Sequence, residues 1–110
     1  MLFNSFPAAA GGGASVTAHK ITLTAAGWSS TNKTQSVTLT GVLADEDKQL
    51  IIPMPTITNL TDYNDAGVQC TGQAANTLTF SCDNVPEVDI GVYIVLMSVT
   101  LSYGGEANDL

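Results

Sequence analysis

The chain has 110 residues and a formal charge of −7, from ten acidic side chains set against three lysines and no arginine. That length fits one domain with a single core, and such a surface repels both phosphate backbones and anionic membranes, which excludes nucleic acid and membrane as direct partners. Only 12% of residues are charged while 45% are hydrophobic, so Thr, Ser, Asn and Gln must supply the polar surface, as in β-rich proteins.

The first ten residues end in small side chains, as a signal peptide does. They lack its basic start and long apolar stretch and are read as part of the mature protein. Leu2, Phe3 and Phe6, closed by Pro7, form an apolar peptide. The small-residue stretch from Ala8 to Ser15 follows, with three consecutive glycines that suit a tether. Two readings stand: a docking tag that inserts into a larger assembly, or a terminus that folds back or frays. Two phenylalanines and a leucine are costly to leave in water, which favours docking.

The domain begins near Val16 and runs to residue 103. Ile21 and Leu23 alternate with Lys20, Thr22 and Thr24, which predicts a half-buried strand. Gly27 to Asn32 is a turn-rich loop around Trp28. Val37 and Leu39 alternate with Ser36, Thr38 and Thr40 in a second strand that stops at Gly41. Asp45-Glu46-Asp47 forms an acidic loop. Gln49 to Ile52 is a short strand closed by Pro53 and Pro55, hence at a sheet edge.

Asn59 to Gly67 is the only helical candidate, with Asn59 or Thr61 as cap, Asp62 in the first turn and Gly67 as a left-handed terminator. Val68–Gln73 and Thr77–Cys82 read as a hairpin around Ala75-Asn76. A register pairing Ala74 with Leu78 and Gly72 with Phe80 would set Cys70 against Cys82. The two cysteines are then candidates for a disulfide, or for reduced and buried thiols in an intracellular assembly. From Ile90 to Leu101 nearly every position is apolar. Ile90, Val92, Ile94 and Leu96 point one way, and Tyr93, Val95, Met97, Val99 and Leu101 the other. Such a strand must be covered on both faces. The second cover is either a neighbouring subunit meeting those five residues or another layer of the same chain. Residues 104–110 read as a flexible tail. The expected fold is an all-β, small antiparallel sandwich or jelly-roll with one short helix and a flexible N-terminal arm.

Chemistry-bearing constellations are sparse. His19 is the sole histidine and has no partner that would make it a base. His19, Cys70 and Cys82 lack zinc-site spacing. Asp45-Glu46-Asp47, and Asp62 with Asp65, lack the ligand pattern of a calcium loop and read as a solvated loop and a helix start. No phosphate-binding glycine loop is present, and no cofactor or metal is expected. Trp28 with Tyr63, Tyr93 and Tyr103 could stack on sugars, although aromatic residues in small β-domains are more often core or interface.

Ile21 to Ser29, Thr34 to Val42, Ala44-Asp45-Glu46, Gln49-Leu50-Ile51, Pro53-Met54-Pro55, Tyr63, Ala66 to Cys82, Pro86 and the closing apolar strand stand in an order that resembles a short β-module of phages of Gram-positive and gut bacteria. The resemblance covers about residues 20–100 and is to terminal domains of fibre, spike or head-decoration proteins. It implies a non-enzymatic, often trimeric domain on the exterior of the virion, assembled in the bacterial cytoplasm. Residues 1–7 would dock into capsid or neck proteins. The alternative is a receptor- or glycan-binding tip domain, with Trp28 as the contact.

Overall fold

A computed structural model describes residues 15–102 and 104. The described residues form an antiparallel β-sandwich of two three-stranded sheets. Sheet A has the order β1 (Val16–Leu23), β6 (Ile90–Ser98), β3 (Gln49–Pro55). Sheet B has the order β2 (Thr34–Thr38), β5 (Thr77–Ser81), β4 (Gln69–Ala74). One helix, α1 (Leu60–Ala66), links β3 to β4 across the sandwich. Only β4 and β5 are both consecutive in sequence and paired; every other connection crosses from one sheet to the other.

Alternation sets the core. Ile90, Val92, Ile94 and Leu96 of β6 and Ile21 and Leu23 of β1 face Leu78 and Phe80 of β5, and all are buried. Trp28, Val42, Ala66, Val68 and Cys82 close the cluster from the loops and α1. Each fully buried aliphatic or aromatic side chain stabilises the fold by about 1.5–3 kcal/mol. The outward side of sheet B carries Thr34, Ser36 and Thr38 beside Ser81, Thr79 and Thr77. The Ser36 and Thr79 hydroxyls lie 3.0 Å apart. Sheet B is thus apolar inside and hydroxyl-bearing outside.

β3 does not stop at Ile52: Pro53 lies inside it opposite Ile94, and Pro55, opposite Val92, is its last residue. Their missing N–H groups face the free edge of the sheet, where no ladder bond is lost. Helix α1 ends as expected at Gly67, whose φ of 67° is left-handed. Asn59 precedes it, but its side chain makes no capping bond. Instead its Oδ1 accepts the Gly91 amide at 2.9 Å and its Nδ2 donates to Asp62. That arrangement ties the helix start to the first turn of the central strand.

The hairpin register differs from the expected one. Ala74 pairs with Thr77 and Gln73 with Leu78, around a two-residue turn in which Asn76 has φ 57°. A bulge between Cys70 and Gly72 then slips the strand once more, so Cys70 lies opposite Phe80, not Cys82.

Buried amides replace charges in holding the sandwich together. Gln35 on β2 accepts from the Thr24 amide through Oε1 and donates to the Thr24 carbonyl through Nε2, both at 3.0 Å. The side chain therefore acts as a strand neighbour to the end of β1 and closes the β1/β2 side of the sandwich. Gly27 makes room for it: a Cβ there would sit 2.7 Å from Gln35 Oε1 and 2.6 Å from the Thr24 hydroxyl. Gln49 repeats the device on the other side, donating to the Gly41 carbonyl at 3.0 Å and accepting the Leu43 amide at 2.8 Å.

Gln35→Leu keeps the volume but leaves the Thr24 N–H without its partner and the Thr24 carbonyl with only the Gly27 amide, and is expected to cost about 1–3 kcal/mol. Ser36→Ala, one residue along on the solvent side, should stay within about 0.5 kcal/mol. Urea unfolding of the two variants checks the contrast.

Candidate assembly surface

The outer side of sheet A breaks the pattern of sheet B. Tyr93, Val95 and Met97 of β6 form its central column. Register places three rows across the sheet: Val16, Met97 and Leu50; Ala18, Val95 and Ile52; Lys20, Tyr93 and Met54. Val16, Leu50, Ile52, Met54 and Tyr93 are between 41% and 57% exposed, unusually open for side chains of this size sharing one continuous face. Lys20 is the only ionisable side chain in these rows besides Tyr93, and its ammonium stands 6.0 Å from the centre of that ring. The described carboxylates lie on loops and on α1, and none belongs to the three rows, although Glu46 lines a cleft with Leu50.

Of the five residues expected at an interface, Tyr93, Val95 and Met97 stand on this face. Val99 and Leu101 do not extend it, because β6 ends at Ser98. The Val99 amide donates to the Lys48 carbonyl instead, and both residues border a shallow hollow with Asp45, Asp47 and Lys48. The β1 and β3 columns are additions. Sequence alternation marks each strand as amphipathic or apolar, but it cannot tell which strands lie side by side. Leu2, Phe3, Phe6 and Pro7, expected to dock into capsid or neck proteins, lie outside the described residues, as does Tyr103. The chain enters the domain beside the face: the Ser15 carbonyl accepts the Ser98 amide at 2.8 Å, next to the Val16–Met97 pair.

Trp28 is not a sugar platform. It is only 7% exposed and packs in the core cluster, so neither face of its ring is open for stacking. Its Nε1 is buried without a hydrogen-bond partner. Cys70 and Cys82 are free thiols, separated by the slipped register. His19 is half-buried on β1 and bonds the Thr17 hydroxyl at 3.1 Å. Asp45 accepts the Asp47 amide at 2.9 Å in a local turn. Among the described residues no three His, Cys, Asp or Glu side chains converge as metal ligands. A cleft of about 400 Å³ opens between the free edges of β3 and β4, lined in part by Gln49, Ile51, Pro53, Cys70 and Gln73.

Comparison of the chain with protein-family models, with curated proteins and with solved structures finds no match. The functional reading therefore rests on geometry and on the resemblance in the order of elements.

Two outcomes are expected from the buried groups. Trp28 is the sole tryptophan, so its emission should be blue-shifted and poorly quenched by acrylamide until the chain unfolds; strong quenching in the native protein would return it to the surface. Burial pushes the thiols of Cys70 and Cys82 up, and the Tyr63 phenol up as well, with Cys70 adding to the latter. The folded state then holds these protons after the unfolded chain has begun to release them. Stability is full below the ordinary thiol range and falls as pH rises through it, then further through the phenol range. Urea midpoints measured up to pH about 10 should fall above pH about 9, and less steeply in Cys82→Ala.

Proposed function

We propose that the chain is a non-enzymatic structural protein of a phage particle, displayed on the capsid exterior as a head-fibre or decoration protein and anchored by its N-terminal peptide. The observation that carries this reading is the open apolar face of sheet A. A domain of 110 residues that leaves three rows of Val, Leu, Ile, Met and Tyr uncovered has a surface suited to contact with another protein. The entry of the chain at Ser15, beside that face, supports an anchoring peptide and a contact surface that work at the same end of the domain. The resemblance supplies the particle, the capsid or neck partners and the trimeric state. The glycan-binding alternative loses its named contact with the burial of Trp28.

Deletion of residues 1–7 should abolish incorporation into particles while leaving the domain folded by circular dichroism and Trp28 emission. A shortened chain that still decorates particles, detected by immunoblot of purified virions, would remove the anchoring role.

A further inference from the structure

We infer that the outer face of sheet A is covered by the same face of another copy of this chain, with the β1 column of one copy seated against the β3 column of the next. The inference rests on the structural role proposed above and names the partner at that surface.

Three observations single out a second copy. The first is charge. At −7 the chain repels its copies over most of its surface. The three rows of this face hold no carboxylate of their own, so none stands inside the contact, and Glu46 lines a cleft beside Leu50 at the β3 edge. The second is shape. The β1 column presents Val16, Ala18 and Lys20, and the β3 column presents Leu50, Ile52 and Met54, level with them across Met97, Val95 and Tyr93. One flank is low and the other is tall at the level of Ala18 and Ile52. A self-complementary patch needs both halves on one chain. When copies pack with strands along the symmetry axis, β1 of one faces β3 of the next, whether the axis is two-fold or three-fold. Ile52 then fills the space above Ala18 of its neighbour, and Leu50 meets Val16.

The third observation is Lys20. It sits on an edge strand, at the rim of the face, with its ammonium near the Tyr93 ring. Its stem can lie on Met54 of the neighbour while the charge stays in water. A cation at the centre of the face would forbid the contact, and a cation at the rim does not. The edges themselves are poor alternatives for β3 and β4. Two prolines interrupt the donors of β3, and a bulge bends β4. Strands about 4.8 Å apart with same-face residues about 6.8 Å apart give the three rows a footprint of roughly 300 Å². That lies below the size of stable specific interfaces, so association is weak, reversible and dependent on concentration.

The test uses the full chain, with mass measured by light scattering after size exclusion from about 1 µM to about 500 µM. The mass should climb above the 11.4 kDa of one chain as concentration rises. Ile52→Glu and Ala18→Lys should each hold it at the single-chain value and leave circular dichroism and Trp28 emission unchanged. Where the wild-type species is a pair, mixing the two variants should restore it, because the new carboxylate and ammonium meet across one β1–β3 contact and the other is wild-type. The inference is overturned by a wild-type chain that stays at one-chain mass throughout, by an Ile52→Glu chain that still associates, or, for a wild-type pair, by a mixture that does not recover. A chain of one-copy mass that still enters particles overturns this contact and leaves the structural role intact. A self-associating chain that never enters particles does the reverse.

Discussion

Strand β6 is the element on which the rest of the sandwich depends. It pairs with β1 on one side and β3 on the other, so removing it would leave sheet A without a single ladder. Its inner side chains Ile90, Val92, Ile94 and Leu96 supply a third dimension of the same constraint, since they form one wall of the core. A strand that is central in its sheet and apolar on both sides cannot slip by one residue in search of a polar face, because it has none. Its register must come from its neighbours. Gln49 and the prolines of β3, and the alternation of Lys20 and Thr22 with Ile21 and Leu23 in β1, supply that information; Gly91 accepts the Thr56 amide and donates to Asn59, which pins the start of β6.

The rest of the stabilisation follows from having so few charges. A domain with three lysines cannot lace its loops with ion pairs, and exposed pairs would contribute little in any case. Amide side chains take that place. Gln35 and Gln49 each present a donor and an acceptor in the geometry of a peptide bond, so each extends a sheet by one residue without extending a strand. A third glutamine, Gln73, adds a bond to the Leu43 carbonyl at 2.8 Å. These bonds hold at any pH and are barely screened by salt, because no charge is involved. The outer face of sheet A has the same character: it is apolar, so the contact proposed there would keep its attraction in salt while the repulsion between acidic copies weakens.

Much of this was legible in the sequence, and the failures have specific physical causes. The two-sided apolarity of Ile90 to Met97 announces a central strand, and Pro53 with Pro55 announces an edge. The left-handed Gly67 ends α1 where a glycine after a short amphipathic run should. What alternation cannot carry is pairing across distance. The hairpin register went astray twice. The turn uses only Ala75 and Asn76, and the Cys70–Gly72 bulge inserts a residue that no period-two pattern reveals. The thiol pair was lost with it. Trp28 lies among Ser, Thr and Asn, where no periodicity says which way a side chain turns, and its burial is decided by the tertiary fold. The buried glutamines are in phase with Val37 and Ile51 on their strands, but a polar residue type at those positions does not say which backbone groups it will reach.

Trp28 also shows how the core tolerates a local mismatch. An indole N–H buried without a partner carries a desolvation penalty of about 1–3 kcal/mol, yet the ring fills volume where the loop after the short turn Ala25–Gly27 meets the core. Loss of that volume would leave a cavity and cost about 3–5 kcal/mol in a Trp→Ala substitution. Packing outweighs the stranded donor, so the side chain stays inside. Tyr93 is the opposite case. Its ring could have been spared exposure by a polar residue, as Thr79 serves on sheet B, and a monomeric domain would lose nothing by the exchange. The contrast between a costly tryptophan kept in and an open tyrosine kept out gives the outer face of sheet A its meaning. Among the described residues the core closes without that face, whose apolar side chains stand open on the outer side of sheet A.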